Sequence, residues 1–243
     1  MTVVSIHPAS HTRTHTGATE AEENYAKAIY ALQGHSGGRP VSTTHLAERL
    51  KITPGSASAM VKKLTERGLA EHAPYKSVSL TAAGERVALE VIRHHRLLEL
   101  YLSEHLDVPW DRVHIEADRL EHVLSEELEA RIAAKLGHPT HDPHGDPIPT
   151  SKLTLTTDAT VSLATLTPGA RGHVARVSDS NPDMLRYLHE QGVTVGDRVE
   201  VLDRQPFDGP LTVRVANHDL ILGDALARAI RVRLDDRPPT SPR

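Results

Sequence analysis

The chain has 243 residues, no cysteine and a formal net charge of −4 at pH 7. This length allows two or three domains, and the absence of cysteine excludes disulfide bonds and thiolate metal ligands. No apolar run approaches the length of a membrane span and no signal peptide is visible, so we expect a cytoplasmic protein with no membrane partner.

The first segments are a polar tail and one amphipathic helix. Residues 1–18 are rich in Thr, Ser and His without periodicity, which predicts a disordered tail. Residues 20–32 carry apolar side chains at helical spacing, which predicts a helix with Tyr25 and Ile29 on its inner face. A loop over residues 34–40 follows.

A helix-turn-helix pattern comes next. Residues 41–50 predict a short helix, and Thr53 and Pro54 are typical of the start of a second helix that ends near Gly68. Residues 69–80 predict a two-stranded wing. The outward side chains of the second helix are small or basic, as suits a helix in the major groove. The candidate DNA-binding residues, including one from the wing, are Thr53, Ser56, Ser58, Ala59, Lys62, Lys63, Arg67 and Lys76. A small helical core unit with no DNA role is the alternative.

Charge is segregated along the chain. Residues 41–80 hold six Lys or Arg against three Asp or Glu, a net of +3. Residues 84–136 hold seven against twelve, a net of −5. Positive charge therefore falls where DNA would bind and negative charge where cations would bind.

Histidines and carboxylates are concentrated in the acidic region. His95 and Glu99 lie one turn apart on a predicted helix over residues 82–104. A second predicted helix begins at Trp110 and places four such side chains on one stripe, namely His114, Asp118, Glu121 and His122. Imidazole and carboxylate ligands without sulfur suit a divalent transition-metal ion. The alternative is a pair of solvated helices whose charges form ion pairs.

The remainder predicts a helix, a linker and a small β domain. Residues 125–136 predict a helix, and residues 138–164 are rich in proline and threonine, which indicates a loop and a flexible linker. Within residues 165–235, short alternating runs predict strands over 172–177, 197–202, 211–215 and 229–233, with a helix over 182–190. Such a pattern suits a small barrel.

In this order, these segments resemble the diphtheria-toxin-repressor family of metal-dependent transcriptional repressors and its manganese-sensing relatives. The resemblance spans residues 19–235. It rests on the helix-turn-helix, the Leu80–Gly84 junction, the two His and carboxylate segments, and the loop over residues 142–149.

The resemblance implies a mainly α protein with a small β domain. The expected domains are a winged helix-turn-helix over 19–83, a helical dimerisation and metal-binding domain over 84–150, a linker over 151–164, an SH3-like barrel of the FeoA type over 165–235, and a tail over 236–243. The expected function is repression of metal-uptake genes by a homodimer that binds double-stranded operator DNA when loaded with metal.

The resemblance also implies two metal ions per subunit. The first would bind His95, Glu99 and His114, with Asp183 from the barrel and Asn181 behind it. The second would use Asp118, Glu121, His122 and Asn24. Iron-responsive members carry cysteine in place of Asp118 and methionine in place of Asn24, whereas manganese sensors carry carboxylates at both positions. Because an oxygen-rich ligand set favours Mn²⁺, manganese is the expected ion and iron is second.

Two other classes of protein remain open. A winged-helix regulator could respond to a small organic ligand, with the acidic helices merely solvated. A metal-dependent hydrolase is less consistent with the sequence, since there is no HExxH pattern and no nucleophile or general base outside the ligand set. We therefore expect a protein that is not an enzyme.

Overall fold

The structure, a computed structural model, describes residues 17–35, 37–73, 77–156, 158–207 and 209–235. The predicted tails over 1–18 and 236–243 therefore lie outside this part of the chain, apart from residues 17 and 18. The helices are α1 Glu20–His35, α2 Thr43–Leu50, α3 Pro54–Glu66, α4 Ala82–Leu106, α5 Val113–Leu120, α6 Glu126–Lys135, α7 Pro182–Glu190 and α8 Asp224–Ala229. The strands are β1 Val41–Ser42, β2 Ala70–Ala73, β3 Ser77–Leu80, β4 Val161–Ser162, β5 Arg171–Val177, β6 Arg198–Arg204, β7 Leu211–Val215, β8 His218–Leu222 and β9 Ile230–Leu234.

These elements form two compact units. The first contains the described residues up to His94 together with Leu120–Lys135, and the second contains His95–Arg119 and the residues from Leu136 onward. The backbone of α4 thus passes from the first unit to the second. The predicted fold class, mainly α with a small β domain, is confirmed. Among the described residues, no helix has the length and apolar character needed to cross a membrane.

The first unit contains the predicted helix-turn-helix. The Thr53 hydroxyl accepts a hydrogen bond from the Ser56 amide at 3.1 Å, which caps the start of α3, and Pro54 occupies the first turn. Helix α3 ends before Gly68, whose φ of 69° is left-handed. The predicted wing strands are present as β2 and β3, and a third strand, β1, which we did not predict, completes the antiparallel order β1-β3-β2.

Helix α5 differs from the prediction at both ends. Residues 110–112 form a turn in which the amides of Arg112 and Val113 both donate to the Pro109 carbonyl, so α5 does not begin at Trp110. Residues 121–123 also form a turn. The Glu121 carbonyl accepts from a ring nitrogen of His94 at 3.1 Å instead of extending the helix. The prediction that His114 to His122 form one helical stripe was therefore wrong.

The β domain is a six-stranded antiparallel sheet with the order β4-β9-β5-β6-β7-β8. Alternating valine, leucine and isoleucine side chains from its strands form one buried core with side chains from α7 and α8. All four predicted strands and α7 are present. Strands β4 and β8 and helix α8 were not predicted.

A loop over residues 142–147 packs against the barrel within the second unit. The Val177 amide donates to the His144 carbonyl at 2.9 Å. Gly145 has a φ of 86°, and a Cβ there would lie 2.0 Å from the Ala175 carbonyl oxygen. Only glycine suits this backbone conformation and close approach. The loop thereby holds the side chain of His144 in a fixed position.

Candidate metal centres and DNA-binding surface

The first group of candidate ligands lies in the second unit. His95 and Glu99 come from α4 and His114 from α5, as predicted, and the Nε2 atom of His95 lies 3.0 Å from Glu99 Oε1 and 2.9 Å from His114 Nδ1. His114 Nδ1 lies 3.1 Å from Glu99 Oε1. Ligand atoms about 2.1 Å from an ion and at right angles to each other are about 3.0 Å apart. The three atoms therefore have the spacing of neighbouring ligands around one metal ion.

Two members of this first group are buried, which supports their role as candidate metal ligands. His95 is 4% exposed and Glu99 is fully buried, with no hydrogen-bond partner for its Oε2 atom among the described residues. Burial alone would raise the pKa of Glu99, but the three neighbouring histidines, His95, His114 and His144, hold it well below its usual value. Glu99 is therefore an ionised, buried carboxylate with an available oxygen, which is the state that a metal ligand requires.

Behind Glu99 lies a buried polar cluster. His144 Nδ1 is 3.8 Å from Glu99 Oε2, and its Nε2 is 3.1 Å from the Trp110 carbonyl. Burial opposes protonation of His144, but Glu99 and Asp142 outweigh it and raise the pKa of His144 to about 9. Arg96 donates to Asp146 at 2.9 Å. These contacts attach α4 to the loop over 142–147 and restrain the Glu99 carboxylate.

The structure brings a different carboxylate close to this first group from the one we predicted in the barrel. Asp183 is exposed at the start of α7, 3.3 Å from Arg186, and Asn181 caps that helix by accepting from the Asp183 and Met184 amides. Asp179 lies instead with its Oδ2 3.6 Å from His114 Nδ1, and it forms a four-residue group with His95, Glu99 and His114. Asp183 follows Pro182 in the first turn of α7, where its carboxylate is exposed and pairs with Arg186 on the same helix.

Asp118 also lies beside this first group. Its two carboxylate oxygens are each 3.4 Å from a histidine nitrogen, one from His95 Nδ1 and the other from His114 Nε2. These contacts are made within the second unit, on α5. The assignment of Asp118 to a second metal position remains a prediction.

The second group of candidate ligands lies in the first unit. His122 Nε2 is 3.2 Å from Asn24 Oδ1 and 3.3 Å from Glu121 Oε1, so the structure brings these three predicted residues together. The other ring nitrogen, Nδ1, is 2.6 Å from Glu23 Oε2. A carboxylate bonded to one ring nitrogen fixes the tautomer and leaves the opposite nitrogen to bind a metal. Glu23 therefore directs His122 Nε2 toward the other two ligands.

A lysine bonds to one member of this second group. Lys27 Nζ donates to both carboxylate oxygens of Glu121, at 2.8 and 3.0 Å. The Glu121 side chain is 1% exposed and that of Lys27 is 23% exposed. A cation of the chain thus already neutralises a predicted metal ligand, and a metal ion would have to share or displace it.

The predicted DNA-binding residues of α3 and its two caps form one exposed face. All seven that the structure describes are exposed, namely Thr53, Ser56, Ser58, Ala59, Lys62, Lys63 and Arg67. Ala57, Val61 and Leu64 on the opposite face are fully buried. This segregation is what a recognition helix needs, because its outward side must be accessible to DNA. Lys76 lies outside the described residues.

The basic residues of α3 are not equivalent. Lys62 lies 3.7 Å from Glu66 on the exposed surface, whereas Lys63 lies 3.3 Å from the fully buried Glu22 of α1. Arg67 also donates to Glu22. Lys63 and Arg67 therefore attach α3 to α1, a role that the sequence did not reveal.

Comparison with protein families matches three consecutive segments of the chain. The family model for the N-terminal DNA binding domain of iron dependent repressors matches residues 18–78. The model for their metal binding and dimerisation domain matches residues 81–150, and the FeoA domain model matches residues 161–234. These matches confirm the predicted winged-helix, metal-binding and barrel architecture.

Individual relatives match over nearly the whole chain. The chain is 31% identical over 226 residues to the iron-dependent repressor IdeR of Mycobacterium leprae, an alignment that covers 88% of this chain and 96% of the relative. It is 30% identical over 224 residues to the diphtheria toxin repressor of Corynebacterium diphtheriae, with the same coverage. A solved structure of a manganese-dependent transcriptional repressor in complex with manganese is 42% identical, has a TM-score of 0.81, and covers 87% of this chain and 98% of its own.

Proposed function

The chain belongs to the diphtheria-toxin-repressor family of metal-dependent transcriptional repressors, and on this premise we propose that it binds operator DNA as a homodimer when loaded with Mn²⁺. Repression of metal-uptake genes is the proposed consequence. The named relatives are repressors, which confirms the prediction that the chain is not an enzyme.

Two observations support manganese over iron. The candidate ligands supply only nitrogen and oxygen, and oxygen-rich sites favour Mn²⁺ more than sulfur-containing sites do. In addition, the manganese-dependent repressor is 42% identical to this chain, whereas IdeR of Mycobacterium leprae is 31% identical. Iron is the second candidate, because the same ligand types also bind Fe²⁺.

The main support for the proposal is that Asn24 and Glu121 both lie within 3.3 Å of His122 Nε2. Asn24 belongs to α1, while Glu121 and His122 belong to the turn after α5. A bound dication would supply the attraction that holds these ligands together. Glu23 orients the ring of His122, and Asn24 then connects that ring to α1. The ligand set would therefore determine the position of α1.

Helix α1 in turn packs on the DNA-binding elements. It contacts α2 and α3, and its Glu22 side chain bonds to Lys63 of α3 and to Arg67 at the C-terminal cap of α3. A restraint on α1 is therefore a restraint on the recognition helix. In a dimer this would select the spacing between recognition helices that matches one turn of DNA, roughly 34 Å. Metal would act by favouring one of several conformations.

The decisive experiment is DNA binding across a panel of divalent ions. DNA fragments selected by the Mn²⁺-loaded protein from a random pool would be labelled and titrated by fluorescence anisotropy, with Mn²⁺, Fe²⁺, Co²⁺, Zn²⁺ or a chelator. We expect tight binding with Mn²⁺, weaker activation by Fe²⁺ at matched free concentration, and no specific binding with the chelator. Equal affinity with and without metal would contradict the proposal.

A further inference from the structure

A third group of metal-capable side chains lies in the first unit, apart from the two predicted sets. Glu90 and His94 are one turn apart on α4, and Glu126 is the first residue of α6. Each offers a ligand atom, and these atoms all lie within 4.8 Å of one another. His94 is fully buried and Glu90 is 6% exposed, whereas Glu126 is exposed.

The hydrogen bonding of His94 leaves one ring nitrogen directed at carboxylates. His94 Nδ1 lies 3.1 Å from the Glu121 carbonyl oxygen, which can only accept, so Nδ1 carries the proton. In the neutral ring, Nε2 then bears a lone pair, and it makes no hydrogen bond among the described residues. It lies 3.8 Å from Glu126 Oε1 and 3.2 Å from Glu129 Oε2. A histidine whose one ring nitrogen donates to a backbone carbonyl, with the other nitrogen available, is a typical metal ligand.

The three carboxylates around His94 differ in how they are paired. Glu129 is paired with Arg93 at 2.8 Å, so its charge is already matched. The Oε1 atom of Glu90 is buried without a hydrogen-bond partner in the described part of the chain. Burial and the neighbouring Glu126 raise the pKa of Glu90 to about 7, as expected for carboxylates that repel each other. A dication would balance Glu90 and Glu126 together.

We propose that Glu90, His94 and Glu126 bind a divalent transition-metal ion at a third site. Two carboxylates and one imidazole suit Mn²⁺, Fe²⁺, Co²⁺ and Zn²⁺. The exposed Glu126 gives the ion access from solvent. This site does not depend on the proposed function, since it shares no side chain with either predicted set. It would nevertheless restrain the turn that carries His122, because His94 bonds to the Glu121 carbonyl.

The test counts Mn²⁺ bound per subunit by equilibrium dialysis with elemental analysis. Glu126→Gln removes a charged ligand from an exposed position, so the fold is retained. Glu127→Gln is the matched control, since Glu127 is the next residue of α6, is also exposed and loses the same charge. Both substitutions are repeated in a His95→Ala/His122→Ala background, which removes one ligand from each predicted set.

We expect Glu126→Gln to bind one Mn²⁺ fewer than Glu127→Gln in both backgrounds. Glu90→Gln, checked for folding by thermal unfolding in chelator, should lose the same ion. If Glu126→Gln and Glu127→Gln both bind as much Mn²⁺ as the parent protein, His94 is simply an imidazolium paired with Glu129 and the third site is wrong. Equal loss in both variants would indicate diffuse surface binding and would also overturn the proposal. If the double-alanine background loses no ion, the two predicted centres fail while the third-site comparison still stands.

Discussion

Lys27 should weaken metal binding by competing for Glu121. The substitution Lys27→Gln removes the charged partner of the Glu121 carboxylate, whose side chain is only 1% exposed. Leaving a buried charged acceptor without that partner costs about 2 kcal/mol in the metal-free protein. A metal ion at Glu121 would no longer have to displace the ammonium group, so its binding should strengthen by a similar amount. Since 1.4 kcal/mol is tenfold, about 2 kcal/mol corresponds to a roughly 30-fold lower Kd for Mn²⁺.

Calorimetric titration and thermal unfolding together test this reasoning. In chelator, the Tm of Lys27→Gln should fall by roughly 4–8 °C, and saturating Mn²⁺ should recover most of that loss. Lys62→Gln is the control, because its ion pair with Glu66 is exposed and at 3.7 Å, so neither quantity should change much. If Lys27→Gln lowers the Tm equally with and without Mn²⁺ and leaves the Kd unchanged, Glu121 is not a ligand.

Three further predictions concern the candidate barrel ligand, two lysines of the predicted DNA-binding surface and the choice of metal. Asp179→Asn should weaken Mn²⁺ binding at the first group, measured by titration, whereas Asp183→Asn should leave it unchanged because that side chain is exposed beside Arg186. Lys62→Ala should reduce the slope of operator affinity against salt concentration, by roughly one unit for each phosphate that the lysine neutralises. Lys63→Ala should instead lower the Tm, because Lys63 is bonded to a buried carboxylate; equal salt slopes for the two variants would contradict this distinction. Asp118→Cys should favour Co²⁺ and Fe²⁺ over Mn²⁺ in anisotropy titrations, and a retained preference for Mn²⁺ would remove Asp118 from the ligand set.

Elements with strong local signals were predicted well from the sequence. Thr53 and Pro54 marked the start of α3, and Gly68 marked its end, because capping and backbone geometry depend on neighbouring residues alone. Helix α7 was predicted from Pro182 to Glu190 for the same reason. Short strands such as β1 and β4 have two residues each, and they form only because a distant strand is available to pair with them.

The candidate sites were predicted less completely. His95, Glu99 and His114 were identified as candidate ligands from their spacing and were grouped by the family resemblance. The closeness of Asp179 to His114 was not predicted, because only the folded barrel brings the two together. Glu23 was missed although it adjoins Asn24, since a carboxylate that orients a histidine has no spacing rule. The turn after α5 also escaped prediction, because the His94 contact that ends the helix joins residues far apart in sequence.

Helix α1 connects the candidate metal ligands to the predicted DNA-binding surface through consecutive residues. Successive helical side chains point about 100° apart, so Glu22, Glu23 and Asn24 necessarily face different neighbours. Glu22 faces α3 and bonds to Lys63, while Glu23 and Asn24 contact the two nitrogens of His122. These three residues belong to one rigid helix, although their side chains bond on different sides of it. A displacement of His122 that moves Asn24 therefore also moves Glu22. The dense packing of α1 in the buried core of the first unit makes that movement concerted rather than local.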